Sequence, residues 1–347
     1  MCERMAFTII FFIMHLSSNL SKKILAWYDN NKRDLPWRVS KNSKKILYYR
    51  LLSEFMLQQT QVKTVLPYFR KFRLIFPTLD SLSRSSEKKV LKMWEGLGYY
   101  RRARNLLATS KILAKNYRSQ LPKEYKEIIK LPGIGDYTAN ALQAFIFNKP
   151  TLAIDGNVKR VFSRLLNKNE NKINFKSLIE INKKNLFRLN RNSDLVEAFM
   201  EFGALVCKPK EPDCQNCKLN NICIYFKSKN KFVKTLKVKP ETKSYNIFCY
   251  INKEKNQIAL TKKNNLGFLK NFYLPPMKEV KDGSLLRNWK HHSNFKNLIS
   301  NKKLDINLYY KYTKKNPMQT EWFSLKNNYE FIPSFTKKIF KEVLKIN

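Results

Sequence analysis

The sequence predicts a mainly α protein that ends in a small α+β domain. Three observations carry this reading. From Ser21 to about Phe226, apolar residues recur at three-and-four spacing between turns that hold Pro or Gly. Beyond a charged stretch at 227–242 the period changes to two, in the runs YNIFCYI and QIAL. Four cysteines, Cys207, Cys214, Cys217 and Cys223, close the helical part in C-x6-C-x2-C-x5-C spacing.

Taken in order, Leu25, Trp27 and Tyr28 open the first amphipathic stretch, and Tyr48–Val62 forms a second. Further helical runs are expected at Val65–Phe76, Glu87–Trp94, Ala103–Asn116, Tyr125–Lys130, Thr138–Phe147, Asn157–Leu166, Phe175–Leu186 and Asp194–Val206. Pro77, Gly96, Gly98, Pro122, the Pro132 to Gly135 run and Pro150 punctuate them. In the tail, Ser244–Leu260 reads as two strands around a polar turn at Lys253–Asn256. Leu308–Tyr312 and Thr320–Leu325 read as further strands, and Phe335–Ile346 as a closing helix.

The chain has 347 residues, enough for two or three domains, and a net charge of +42 from 68 basic and 26 acidic residues. Lys and Arg run along the whole length, so the folded body itself is basic, and nucleic acid is the natural partner of such a surface. Part of the Lys and Asn abundance also matches the codon usage of an AT-rich genome. Residues 1–20 form an extension whose apolar run, Ala6 to Met14, is shorter than the ~20 residues a membrane helix needs. The expectation is a cytoplasmic, nucleoid-associated protein that does not engage a membrane.

The four cysteines make a closed tetrahedral thiolate set that suits zinc or an iron–sulfur cluster; spacing alone does not choose. Disulfides are disfavoured by a reducing compartment. Pro209, Pro212 and Asp213 supply the turn chemistry such a loop needs. Leu131-Pro132-Gly133-Ile134-Gly135 lies between two helical stretches. Gly133 and Gly135 leave backbone N–H groups uncovered ahead of a helix N-terminus, which makes a site for one phosphate. No strand precedes the run and no Gly-Lys-Ser follows it, so neither a dinucleotide fold nor a P-loop is indicated. A connector without a ligand is the plain alternative.

LPGIGDYTANAL (131–142), AIDGNVKRV (153–161) and the cysteine quartet together resemble the helix-hairpin-helix base-excision glycosylases. LPWR (35–38), SEFMLQQTQV (53–62) and WEGLGYYRRARNL (94–106) narrow the resemblance to the adenine DNA glycosylase (MutY) family. It runs from about Ser21 to Phe226 and implies two helical subdomains over 21–226, with the hairpin near 125–147. It implies a 4Fe-4S cluster, rather than zinc, on a loop at 207–223.

The resemblance also assigns roles. Glu54 becomes the acid that protonates adenine at a ring nitrogen; its neighbours Leu51, Leu52, Phe55 and Met56 predict burial and a raised pKa. Asp155 becomes the carboxylate that stabilises the sugar cation; at the start of a helix it is expected to stay ionised, and a plain N-cap is the alternative. Tyr137 stands where bifunctional relatives carry a Schiff-base lysine, so a monofunctional enzyme is expected. Gln58, Gln59 and Thr60, on the same helix as Glu54, contact the base pair by resemblance. Leu97, Gly98 and Tyr99 form a loop with Tyr100 that suits a wedge between base steps; aromatic packing at a helix-to-helix corner is the plain alternative. Trp37, Arg38 and Glu197 match positions near the base pocket, with core or surface support as the plain alternative for each. Lys208, Lys210 and Lys218 among the cysteines are candidate phosphate contacts.

After a linker at 227–242, residues 243–347 resemble a degenerate Nudix-like domain, most clearly in GFLKNFYLPPMKEV (267–280). In the family this domain recognises 8-oxoguanine with a Phe-Ser-His-type loop. No such triplet occurs here: the histidines are His15, His291 and His292, and Tyr312-Thr313-Lys314 is the candidate counterpart. No glutamate-rich Nudix box is present, so nucleotide hydrolysis is not expected. The partner implied is double-stranded DNA with adenine mispaired to 8-oxoguanine or guanine, bound by a monomer. Two rival readings are an endonuclease III-like glycosylase/lyase for oxidised pyrimidines and a non-catalytic DNA-binding module.

Overall fold

The computed structural model describes residues 19–228, 242–263, 269, 272–280, 288–299, 302–327 and 332–346. It divides into two compact units, Met1–Lys234 and Thr235–Asn347. Most of the expected extension, 1–20, and of the expected linker, 227–242, lies outside the described residues, as do residues 267, 268, 270 and 271 of the 267–280 stretch. Among the described residues no helix is long and apolar enough to cross a membrane.

The first unit is helical. After α1 at 19–31 come α2 (Ile46–Leu57), α3 (Val62–Ile75), α4 (Leu79–Ser83), α5 (Glu87–Met93), α6 (Arg101–Tyr117), α7 (Tyr125–Ile128) and α8 (Asp136–Phe147). They are followed by α9 (Gly156–Leu165), α10 (Phe175–Leu186), α11 (Asn192–Leu205) and α12 (Ile224–Lys227). One core joins Ile24 and Tyr28 of α1 to Phe145 of α8, Val161 and Phe162 of α9 and Phe199 and Phe202 of α11. Aromatic edges tie the other helices together: Tyr49 meets Phe69 at 5.4 Å, and Phe72 meets Trp94 at 5.6 Å. Helix α2 runs between α3, α6 and α8, which buries nine consecutive residues, Tyr48 to Met56, all round its axis.

One expectation is corrected here. The stretch Tyr48–Val62 is not a single helix: α2 ends at Leu57, and Gln58 leaves the helical region at φ −52°, ψ 109°. Gln59 follows in the left-handed region at φ 57°. Gln58, Gln59 and Thr60 therefore form a turn between α2 and α3 and do not share Glu54's helix. The short helix α4 was not anticipated; Thr78 and Ser81 start it with a reciprocal capping box.

The second unit holds a mixed sheet and α13 (Ser334–Val343). Its strands are β1 (Thr242–Asn252), β2 (Gln257–Leu260), β3 (Met277–Glu279), β4 (Lys290–Ile299), β5 (Lys302–Tyr312) and β6 (Glu321–Ser324). The order is β4-β5-β1-β2-β6, with β3 paired to β1. β1 and β5 are parallel, Thr242 opposite Lys303 through Ile251 opposite Tyr312. Tyr245, Ile247, Cys249 and Ile251 alternate onto the face that packs with Leu304, Ile306, Leu308 and the α13 residues Phe335 and Ile339. β3 and β4 were not foreseen, because KHHSNFKNLI is rich in Lys, Asn and His, which carry little strand preference.

Candidate active site

The site is built where α2, α8 and the start of α9 meet. Glu54, in the penultimate turn of α2, is only 6 % exposed. Burial pushes its carboxyl up to about 7; Arg50 and a hydrogen bond from Tyr137 oppose this, while Asp155 and Glu197 add to it. Tyr137 is the second residue of α8. Burial, then the negative charge of Glu54, keeps its hydroxyl protonated far into the alkaline range, so it stays a donor to Glu54. The same oxygen lies 3.9 Å from Met200 Sδ.

Asp155 caps α9: Oδ1 accepts the Val158 N–H at 2.7 Å and Oδ2 accepts Asn157 Nδ2 at 2.9 Å. The cap and the proximity to Glu54 coexist. Burial, the largest influence on Asp155, outweighs the hydrogen bonds from Val158 and Asn157 and raises its pKa above the usual value. The structure thus brings Glu54, Tyr137 and Asp155 together from segments 83 and 18 residues apart.

Behind Glu54 lies an ion network. Glu197 is 5 % exposed, accepts from Tyr28 Oη and Arg50 Nη1, and forms an ion pair with Arg38, whose Nε lies 3.3 Å from Oε2. Burial works to raise its pKa, but Arg50 and Arg38 outweigh this and hold it below the usual carboxylate range. Arg38 also reaches Glu201 at 2.8 Å, which Arg33 grips through Nε and Nη2. Trp37 is buried edge-on against Phe69 at 5.2 Å, a packing position. Arg50, Tyr28 and Glu201 were missed in the sequence. A cation four residues before Glu54 in an otherwise apolar helix was the available signal for Arg50.

Three loops around the site are laced together. Arg102, 7 % exposed, donates Nη1 to the carbonyls of Phe55, Met56 and Gln58 and Nη2 to those of Leu97 and Gly98. Burial lowers its pKa to about 10, still far above neutrality. Gln58 Nε2 donates to Gly133 O at 3.3 Å, which adds the hairpin to the set. Within the 97–99 loop, Leu97 is 5 % exposed and anchors it, against the expectation that it projects with the wedge. Gly98 and Tyr99 take positive φ, 73° and 48°, and Tyr99 is the exposed ring at 41 %. Gly133 needs its φ of 77°, whereas Gly135 is the extended N-cap of α8 with an open surface.

Cys207, Cys214, Cys217 and Cys223 line one small cavity, partly open to solvent, with Val161, Leu165 and Phe202 at its apolar wall. Arg164 Nη1 lies 3.3 Å from Cys207 Sγ, and the Leu219 N–H points to Cys217 Sγ at 3.4 Å. Burial pushes the Cys217 thiol up to about 11. Among the described residues no three His, Cys, Asp or Glu side chains are gathered to grip a single metal ion. Lys208, Lys210 and Lys218 are exposed around the cavity.

A helical body with a glycine hairpin set before a partly buried acid pair defines a class. Residues 52–184 match the family model described as HhH-GPD superfamily base excision DNA repair protein. A solved structure of a thermostable thymine-DNA glycosylase, 25 % identical, superposes with a TM-score of 0.52 over 60 % of this chain and 95 % of its own. An adenine DNA glycosylase from Buchnera aphidicola subsp. Baizongia pistaciae is 35 % identical over 348 residues, covering 93 % of this chain and 96 % of the relative. The human adenine DNA glycosylase is 35 % identical over 207 residues, 58 % of this chain and 38 % of its own. The chain belongs to the adenine DNA glycosylase family.

Proposed function

We propose that this protein excises adenine from DNA where it is mispaired with 8-oxoguanine or guanine, and leaves an abasic site. The observation that carries the reading is Glu54, a buried carboxyl with its pKa raised to about 7, set against Tyr137 and Asp155. A general acid works best when its pKa lies near the working pH. Glu54 then gives its proton to a ring nitrogen of the flipped adenine as the bond to the sugar breaks. Tyr137 donates to Glu54 throughout and steadies the carboxylate that forms. Asp155, its oxygens already fixed by Val158 and Asn157, faces the developing positive charge on the sugar. Water then adds at the sugar carbon, and the proton it sheds returns to the Glu54 carboxylate. Tyr137 cannot form an imine, so no strand nick accompanies excision.

The remaining residues serve binding. The N–H groups exposed at Gly133, Gly135 and the start of α8 suit a DNA phosphate. Tyr99 projects from a loop pinned by Arg102, and Gln58, Gln59 and Thr60 turn out beside it to meet the base pair. Arg38 and Glu197 line the base pocket, with Trp37 supporting it through packing. The four cysteines suit a 4Fe-4S cluster better than one zinc ion, because thiolates at ~2.3 Å from a single zinc converge on a point. Such a cluster clamps the 207–223 loop and holds its lysines toward DNA, separate from the acid pair. The second unit, Nudix-like by its sequence, is assigned to the opposite base, with Tyr312 to Lys314 as its contact. The protein acts as a cytoplasmic monomer.

The test is single-turnover release of adenine from a duplex with one 8-oxoguanine:adenine pair. Glu54→Gln removes the proton donor and is expected to abolish release while the duplex is still bound. Undiminished release by this variant would sink the reading.

A further inference from the structure

The ion network behind Glu54 holds more positive than negative charge. Arg33, Arg38 and Arg50 bring three guanidinium groups, while Glu197 and Glu201 bring two carboxylates. Glu201 is shared by Arg33 and Arg38, and Glu197 by Arg38 and Arg50. Arg50 is the innermost of the cations, 6 % exposed, with Cζ 4.4 Å over the face of Phe145. Its Nε is buried and meets no acceptor among the described residues, although Nη1 is engaged by Glu197. A desolvated cation with a spare donor is costly unless a further anion shares the space. Four residues along the same face of α2 stands Glu54.

We propose that Arg50 is a positioning residue for excision: it is the counter-charge on which the Glu54 carboxylate settles once its proton has passed to the leaving base. Among Arg33, Arg38, Arg50, Glu197 and Glu201 alone there is one surplus positive charge, which an ionised Glu54 offsets. The negative charge left on Glu54 by the chemical step therefore meets a buried cation already in place. The groups that face Glu54 are Arg50 on its own helix, Tyr137 on α8, Asp155 at the head of α9 and Glu197 on α11. Burial dominates and raises the Glu54 pKa; Arg50 is the main opposing influence, ahead of Tyr137, while the two carboxylates push upward. Arg102 on α6 is committed to the loop carbonyls. This inference rests on Glu54 being the acid of the proposed reaction.

The experiment follows the single-turnover rate from about pH 5.5 to about 9.5 for the wild type, Arg50→Met, Arg50→Lys and Glu54→Gln. Arg50→Met keeps the bulk and removes the charge. Its alkaline limb is expected to move up by about 1–3 pH units, with a lower plateau, because Glu54 becomes a weaker acid. Arg50→Lys restores the charge and returns the limb toward the wild-type position. A purely structural role lowers the rate at every pH and leaves the limb in place, and that result would overturn the proposal. If Arg50→Met does not fold, Arg50→Gln, which keeps a hydrogen bond to Glu197 without charge, gives the same reading. Undiminished release by Glu54→Gln defeats the glycosylase mechanism itself. An inert Glu54→Gln beside an unmoved Arg50→Met limb defeats only the role of Arg50.

Discussion

Replacing Gly133 by alanine tests how the hairpin is held against the acid-bearing helix. At φ 77° an added Cβ would lie 2.6 Å from Asn105 Nδ2, 2.7 Å from Asn105 Cβ and 2.8 Å from Phe55 Cε1. The left-handed backbone costs an L-residue about 1–2 kcal/mol. Forcing a methyl into a packed contact costs about 1–3 kcal/mol more, since Phe55 is fully buried one residue from Glu54 and Asn105 lies on α6. The expected loss is about 2–5 kcal/mol, or a fall of roughly 4–20 °C in the unfolding midpoint of a unit this size. Gly135→Ala is the internal control: φ is −102° and nothing lies within 4 Å of its added Cβ. Its midpoint is expected to fall by no more than about 2–4 °C, because alanine in place of glycine at an N-cap costs about 1 kcal/mol. Its methyl sits where a phosphate would approach, so DNA binding weakens instead. Thermal denaturation followed by far-ultraviolet circular dichroism gives both numbers. An unchanged midpoint for Gly133→Ala, or equal losses for the two variants, would refute the reasoning.

Three further outcomes are expected. Glu54 has a folded pKa of about 7, above its unfolded value near 4.5, so between these the unfolded chain has already lost a proton that the folded protein keeps. Stability from this group is present below about pH 4.5, falls by roughly 3 kcal/mol as pH rises to about 7, and is level above that; urea unfolding at acid and neutral pH should show Glu54→Gln flattening this slope, and parallel profiles would contradict it. Arg102→Met strips hydrogen bonds from five carbonyls at the end of α2 and in the two loops and should cost about 3 kcal/mol or more, with new proteolytic cuts near 58–60 and 97–99, whereas a resistant variant would show that the loops hold themselves. The purified protein should contain iron and sulfide in equal amounts with visible absorption that Cys217→Ser abolishes; zinc without iron would overturn the cluster.

How far the site was legible depends on the range of the interactions involved. Burial of Glu54 was readable because Leu51, Leu52, Phe55 and Met56 surround it within one helix. The need for glycine at 133 was readable from the hairpin pattern. The end of α2 was not, since Gln58 and Gln59 are acceptable helix residues and the carbonyls that leave the helix are captured by Arg102, 44 residues from Gln58. Leu97 illustrates the same limit: a leucine beside exposed aromatics has no local mark saying that it faces inward. In the second unit, strand β4 is polar along its length and forms because β5 offers it a partner in register, Lys290 opposite Tyr310 to Ile299 opposite Lys302.

By itself the sequence determined the helical class, the glycine hairpin, the two acids and the cysteine quartet, because each is written in residue type and short spacing. The tertiary structure decided what those groups do to one another. It set Tyr137 on Glu54, gave Asp155 both a cap and a buried neighbour, and ringed a cavity with four thiols that spacing could only count. It also drew Arg50, Arg38 and Glu197 into one buried network, where low polarity and distances of a few ångströms make charges act strongly on each other. Charge and burial at a point in space are sums over segments far apart in the chain, and no local run of residues contains that sum.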